Sequence, residues 1–211
     1  MPLRARSTSG PVHSTFAVYL HLGFDHIADL RGYDHILFIV ALAAGYGLEH
    51  WRRLLVLVTA FTVGHSLTLA LATLRLISVS TTWVEFLIPV TILATGAFNL
   101  AETLTPPGDK ERPGRAQRVK YAMALFFGLI HGLGFSNFLR AMLGEEESIT
   151  LPLFSFNVGL ELGQIAILAV VLAVGWAVVR RTLLDGTLWT RILSVGTALA
   201  AAALAVGRFP L

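Results

Sequence analysis

The sequence predicts an all-α, polytopic membrane protein, and three observations support this fold class. Hydrophobic residues make up 55% of the 211-residue chain and charged residues only 14%, whereas soluble domains carry about a quarter charged residues. The apolar residues form runs of roughly 20 residues, the length at which a helix crosses the hydrocarbon core. The charged residues fall in short blocks between these runs. An unusually apolar soluble domain is the alternative, and the segregation of the charges argues against it.

Helix candidates follow one another along the whole chain. Residues 12–30 form a short segment with polar residues among its apolar ones, so it is expected to lie at the membrane interface or to span half of the bilayer. The six apolar runs after it are predicted to span the membrane: residues 33–48, 54–77, 84–104, 119–139, 152–179 and 188–206. The first of the six is short and is expected to borrow length from the preceding segment. Six spans are therefore predicted, or seven if the first segment also crosses.

The basic residues are concentrated in alternate loops. They are Arg52 and Arg53 in one loop, Lys110, Arg112, Arg115, Arg118 and Lys120 in a second, and Arg180, Arg181 and Arg191 in a third. Alternate loops lie on one side of a membrane, and an excess of Lys and Arg marks the cytoplasmic side. We therefore expect an integral protein of a bacterial inner membrane with its basic loops in the cytoplasm. Basic residues confined to such loops do not indicate a nucleic-acid partner.

A linker over residues 105–117, with three prolines and two glycines, divides the single membrane domain into halves of about residues 12–104 and 118–207. His35 and His131 each follow a glycine by three residues, and a Phe-x-Val-Gly run begins 26 residues after the first and 25 residues after the second. Three helices per half imply that the second half enters the membrane from the opposite side. The sequence thus predicts an inverted three-plus-three repeat with its functional residues near the bilayer midplane, between the halves.

Polar and ionisable side chains within the apolar runs indicate a metal site. A charged side chain at the bilayer centre costs about 3 kcal/mol or more, so such residues mark sites or pathways. Histidines with carboxylates suit a divalent ion such as Ni²⁺, Co²⁺ or Zn²⁺, and the absence of cysteine excludes thiolate ligands. The candidate ligands are His26, Asp34, His35, His65, His131 and Glu161. Candidates for the pathway or the surroundings of the ion are Asp25, Thr62, Ser66, Thr68, Asn99, Asn157 and Gln164.

Alternatives remain for some of these residues. Asn99 and Thr68 are interpreted as interhelical hydrogen-bonding residues rather than ligands. For His131, a hydrogen-bonded packing role stays as open as a ligand role.

The candidate ligands around Gly32 cannot bind one ion from a continuous helix. At about 100° per residue, His26 and His35 would point in opposite directions. The sequence therefore predicts a helix break near Arg31 and Gly32, with Gly32 supplying the backbone freedom, so that His26 folds back towards Asp34 and His35. Broken helices at membrane depth are typical of the ion sites of transporters.

Four motifs in this order resemble the HupE/UreJ family of small membrane proteins. They are His26-Ile27 with Gly32-Tyr33-Asp34-His35-Ile36-Leu37-Phe38; Phe61-Thr62-Val63-Gly64-His65-Ser66-Leu67-Thr68-Leu69; His131-Gly132-Leu133-Gly134-Phe135; and Phe156-Asn157-Val158-Gly159-Leu160-Glu161-Leu162-Gly163-Gln164. The resemblance implies a nickel or cobalt permease of the LysE-like transporter superfamily. It also implies an ion-site role for the six candidate ligands.

Two functions follow as hypotheses. The first is a secondary transporter of Ni, Co or Zn, with the site built between the two halves. The second, less favoured, is an intramembrane zinc-dependent hydrolase, in which three protein ligands leave a position open for water. A metal-sensing or assembly role without transport is a third, lesser interpretation. The expected partners are the metal ion and the lipid bilayer, and a homo-oligomer stays open.

Overall fold

The computed structural model describes residues 15–105, 114–143, 148–182 and 184–210. Across these ranges the chain is helical, which confirms the all-α fold class. The helices are α1 (Thr15–Ala28), α2 (Asp34–Ala43), a 3-10 turn (Leu48–His50), α3 (Trp51–Thr73), α4 (Thr81–Leu104), α5 (Arg115–Gly134), α6 (Ser136–Leu143), α7 (Thr150–Arg181) and α8 (Gly186–Gly207).

Four helices, α3, α4, α7 and α8, are long and apolar enough to cross a bilayer. The pair α5 and α6 qualifies as a fifth span if it is taken as one helix bent by 51°. Long apolar helices of this number make the chain an integral membrane protein. The predicted run over residues 119–139 contains a bend at Phe135, between α5 and α6. Gly132 and Gly134 precede the bend, and glycine weakens a helix interior.

The helix within the predicted run over residues 33–48 is shorter than the run. Helix α2 has only 10 residues, Asp34–Ala43, and is about 15 Å long, half of the hydrocarbon thickness. It ends where Gly45 and Gly47 follow, and the backbone of Gly47 is extended (ψ 177°). Of the predicted first segment, residues 12–14 lie outside the described residues, as do residues 106–113 of the predicted linker.

The predicted break in the N-terminal segment is confirmed, because α1 ends at Ala28 and α2 begins at Asp34. The predicted role of Gly32 is wrong. Its φ lies outside the left-handed region, and a Cβ there would meet the Asp29 carboxylate at an ordinary 3.8 Å. Asp29 ends the helix instead, since its carboxylate accepts a hydrogen bond from the Arg31 backbone N–H at 2.8 Å. Such local side-chain bonds to the backbone compete with helix continuation.

Two helix crossings with glycine on both sides position the central residues. Where α1 crosses α7, a Cβ on Gly23 would collide with the Phe156 carbonyl and one on Gly159 with the Leu20 carbonyl. The crossing of α3 and α5 is built the same way, with Gly64 against the Leu125 carbonyl and Gly128 against the Phe61 carbonyl. Small residues allow backbones to approach this closely in membrane proteins. The glycines thus bring the helices that carry histidines into direct contact.

The segments with basic residues meet at one end of the helix bundle. A cavity of about 1140 Å³ there is lined by Arg53, Lys120 and Arg180, together with residues at the start of α8. The end of α2 also reaches this region, because the Thr190 hydroxyl donates to the Ala44 carbonyl at 2.8 Å. Residues of all three predicted basic loops therefore share one end of the molecule.

Candidate metal site

Three histidines from three different helices come together in the bundle. His26 lies near the end of α1, His35 in the first turn of α2 and His65 in the middle of α3, and each offers a ring nitrogen within 4.8 Å of the other two. The ring centroids of His26 and His35 are 4.6 Å apart. Nine residues of continuous helix would separate them by about 13.5 Å along the axis. The break between α1 and α2 is therefore what creates the cluster.

Four of the six ring nitrogens of these histidines are buried without hydrogen-bond partners among the described residues. His65 is fully buried and His35 is 7% exposed. The unpartnered atoms are Nε2 of His26, Nε2 of His35 and both nitrogens of His65. Buried polar atoms nearly always have a partner, and neutral imidazole nitrogen is a preferred ligand of Zn²⁺, Ni²⁺ and Co²⁺. Nitrogens around a tetrahedral zinc lie about 3.4 Å apart, so small ring movements would close the trio around one ion.

A fourth histidine, His131 of α5, adjoins the trio. Its ring centroid lies 5.2 Å from that of His35, and its Nε2 is 2.9 Å from the Thr91 hydroxyl of α4. The single hydroxyl proton of Thr91 is donated to the Ile88 carbonyl at 2.6 Å. Thr91 therefore accepts from a protonated Nε2, which leaves Nδ1 with its lone pair. That Nδ1 is buried and has no partner in the described part of the chain.

Phenylalanine rings enclose the histidines. Phe135 lies against His26 with ring centroids 3.9 Å apart, and Phe156 stacks on His65 at 6.3 Å. On the other side, Phe38 lies 5.1 Å from His131. Such an apolar shell would exclude water from an ion bound to these imidazoles and would lower the local dielectric.

The two halves contribute unequally to this site. His26, His35 and His65 all belong to the half that precedes the linker, whereas the second half supplies His131, Phe135 and Phe156. The sequence-based expectation of a site shared between the halves therefore rests, in this structure, on His131 and the two aromatic rings.

Asp34 is adjacent to His35 in the chain but faces a different partner. One carboxylate oxygen, Oδ2, lies 2.9 Å from a guanidinium nitrogen of Arg208, just after α8. The other oxygen, Oδ1, is buried and has no hydrogen-bond partner among the described residues. Asp34 thus has one oxygen in an ion pair and one oxygen available.

Glu161 lies apart from the histidine trio, on the contact between α7 and α3. Its carboxylate accepts a hydrogen bond from the Thr59 hydroxyl at 2.5 Å. One turn further, the Thr62 hydroxyl donates to the Gln164 side chain at 2.9 Å in a buried contact. These two bonds join the halves of the chain without reaching the histidines.

The other predicted residues make local or interhelical bonds. Asn99 donates to the Ala41 carbonyl at 2.6 Å, and Thr68 donates to the Leu129 carbonyl at 2.7 Å. Both bonds join neighbouring helices, as interpreted from the sequence. The Ser66 hydroxyl donates to the Thr62 carbonyl of its own helix at 2.6 Å.

Asn157 and Asp25 are the remaining predicted residues. Asn157 donates to the Leu153 carbonyl at 2.8 Å, and its side-chain oxygen is buried without a partner in the described residues. Asp25 is exposed on α1. Neither residue belongs to the histidine group.

Sequence reasoning missed two partners of the candidate ligands. Thr91 binds His131, and the signal for it was a row of polar residues at four-residue spacing, Thr91, Thr95 and Asn99. Arg208 binds Asp34, and it is a lone arginine at the end of an apolar run. No spacing rule links it to a residue 174 positions earlier.

Comparison with known proteins adds one match. No curated protein and no solved structure matches the chain. A family model described as HupE / UreJ protein matches residues 4–209. Because this match covers nearly the whole sequence, the chain belongs to the HupE/UreJ family.

Proposed function

We propose that the protein is a secondary transporter of a divalent transition-metal ion, Ni²⁺, Co²⁺ or Zn²⁺, with His26, His35 and His65 as its central site. The observation that carries the proposal is the set of buried, unpartnered ring nitrogens that these three histidines bring within 4.8 Å of one another. Membership of the HupE/UreJ family independently supports metal handling in a membrane. His131 completes the site as a fourth ligand through Nδ1.

Asp34 and Arg208 supply the charge balance. Neutral imidazoles leave the double charge of a bound ion uncompensated, which is costly in an apolar shell. The ion pair between Asp34 and Arg208, at 2.9 Å, holds a carboxylate one residue from His35. An arriving ion competes with Arg208 for that carboxylate and releases it again when it leaves. This exchange suits a transported ion better than a permanently bound one.

The same proposal includes six spans arranged as an inverted repeat. Helices α1 and α2 together have 24 residues, about 36 Å, so they serve as one broken span, and α5 with α6 serves as another. The reciprocal glycine crossings support a register in which Gly23 with His26 corresponds to Gly128 with His131. This differs from the pairing of His35 with His131 predicted from motif spacing. Rocking of the halves would then open the site alternately to each side, with the basic end in the cytoplasm of a bacterial inner membrane.

Metal uptake into proteoliposomes tests this function. Vesicles that contain a metal-sensitive dye should report Zn²⁺, Co²⁺ or Ni²⁺ entry with the unmodified protein. Metal uptake by the His35→Ala and His65→Ala variants should be at least about tenfold slower, because each substitution removes a ligand. His21→Ala is the matched control, since His21 is exposed on α1 and should leave uptake unchanged. Equal uptake by His35→Ala and the unmodified chain would refute the proposal.

An intramembrane zinc-dependent hydrolase remains a second candidate because three histidines with an open fourth position are also a catalytic zinc arrangement. Metal retention separates the two functions. A hydrolase should keep about one equivalent of zinc through purification and dialysis, as expected of a resident catalytic ion. A transporter should lose its ion under the same treatment and bind it again reversibly.

A further inference from the structure

A second feature of the bundle connects the histidines with the large cavity at the basic end. Thr91, Thr95 and Asn99 are spaced four residues apart on α4 and therefore lie on one face. They are 3%, 5% and 2% exposed, respectively. At one end of this face, Thr91 contacts His131 at 2.9 Å. At the other end, about 12 Å further along the helix, Asn99 lines the cavity.

The space beside this polar face is closed by apolar side chains. A void of about 10 Å³ lies next to Thr95 and Asn99, between Leu42 of α2 and Met123 of α5. It is too small for more than about one water molecule. Nearer the histidines, the rings of Phe38 and Phe127 lie 6.2 Å apart. A narrow apolar constriction thus separates the histidine site from the cavity.

Lys120 lies where this constriction opens into the cavity, since it lines both spaces. Its ammonium group is 2.5 Å from a carboxylate oxygen of Glu102. The group also lies 4.9 Å from the centre of the Tyr46 ring and 5.8 Å from that of Phe98. A cation held by a carboxylate and two aromatic faces is well fixed in position.

Tyr46 is itself held in place beside Lys120. Its hydroxyl donates to the Gln117 side chain at 2.8 Å. Burial raises the pKa of Tyr46 above its usual value, so the hydroxyl stays protonated and remains a donor. The aromatic face under Lys120 therefore keeps a fixed orientation.

We propose that the face formed by Thr91, Thr95 and Asn99 is the ion's route between the histidine site and the basic-end cavity, and that Lys120 is its gate. This inference rests on the proposed transport function. It names the residues that the ion passes between the histidine site and the basic end. In the closed state Lys120 is ion-paired with Glu102 and repels an approaching cation. A divalent ion that reaches the cavity end of the constriction binds the Glu102 carboxylate in place of Lys120, and Lys120 moves aside into the cavity.

Cysteine accessibility tests the route without measuring transport. The chain contains no cysteine, so a single substitution gives an unambiguous signal. Thr95→Cys lies on the proposed route, and Ala97→Cys lies on the exposed side of the same helix. A small, positively charged, membrane-impermeant methanethiosulfonate reagent is added to the protein in proteoliposomes, and the rate of modification is measured. Asn99→Cys, at the cavity end, provides a second route position.

The route predicts that Asn99→Cys reacts fastest, Thr95→Cys more slowly and Ala97→Cys slowest. The gate predicts that adding Lys120→Gln accelerates the modification of Thr95→Cys by about fivefold, the effect expected from loss of a partly exposed ion pair. Adding Arg118→Gln, which removes the same charge from an exposed position on α5, should not.

Equal rates at Thr95→Cys and Ala97→Cys would overturn the route. Equal acceleration by the two charge removals would overturn the gate. The cysteine modification rates are measured without metal transport. Failure of the transport proposal, seen in the uptake assay, is therefore distinguishable from failure of this one.

Discussion

Replacing Thr91 with valine should weaken metal binding while it leaves the packing of α4 almost unchanged. The substitution removes the only hydroxyl within 2.9 Å of His131 Nε2 among the described contacts. Both residues are almost fully buried, with Thr91 3% and His131 1% exposed, so water cannot replace the lost acceptor. A buried donor without a partner costs about 1–3 kcal/mol. Loss of a hydrogen bond that orients a metal-binding histidine lowers affinity by about tenfold to a hundredfold.

The assay is a competition between the detergent-solubilised protein and a fluorescent chelator for Zn²⁺ or Co²⁺. Thr91→Ser should restore the affinity because it restores the hydroxyl. Thr95→Val is the control for removal of a buried threonine hydroxyl, since that hydroxyl donates at 2.8 Å to the Thr91 carbonyl and not to a histidine. It should bind metal within about twofold of the unmodified protein. If Thr91→Val bound metal as tightly as Thr95→Val, the orienting role of Thr91 would be refuted.

Three further substitutions test the fold and the charge balance. Gly128→Ala should destabilise the protein by about 1–3 kcal/mol, because the added Cβ would collide with a backbone carbonyl of α3. Gly196→Ala is the control, because there is open space around that glycine. Equal shifts in the Tm of the two variants, measured in detergent, would contradict the close crossing. Gly32→Ala should raise stability by about 0.4–1 kcal/mol, and a loss of stability would show that the break does need glycine. Arg208→Gln should lower the stability of the metal-free protein and enlarge the stabilisation by added Zn²⁺, because it frees Asp34; an unchanged metal-induced shift in Tm would rule out a ligand role for that carboxylate.

The broken N-terminal segment shows what sequence reasoning could predict. Two histidines nine residues apart cannot face one point from a straight helix, so a break was required if they share a site. The structure has that break and brings His26 and His35 to 4.6 Å between ring centroids. The cause of the break was misjudged, because an Asp29 side-chain bond to the backbone ends α1. Periodicity reveals that a helix must end, but it does not show which of several polar residues ends it.

The partners of the carboxylates Asp34 and Glu161 could not be predicted from the sequence. Asp34 and His35 are neighbours on α2, and successive helical side chains point about 100° apart. His35 faces the histidine cluster, so Asp34 faces α8, where Arg208 meets it. Glu161 lies five residues beyond Phe156 on α7, about 140° round the helix and 7.5 Å along it. Since Phe156 is the residue that packs on His65, Glu161 points elsewhere and binds Thr59.

The separation of ligands from charges has a consequence for how an ion could pass through the bundle. The three clustered histidines carry no negative charge, and two carboxylates elsewhere in the bundle are each held by a cation, Asp34 by Arg208 and Glu102 by Lys120. A site of permanently free carboxylates would bind a divalent ion tightly and release it slowly. When the ion must replace a basic side chain as the partner of a carboxylate, the broken ion pair offsets part of the binding free energy at each step. Such a series of nearly balanced exchanges lets an ion enter, pause at the imidazoles and leave, and this is what transport requires of a binding site.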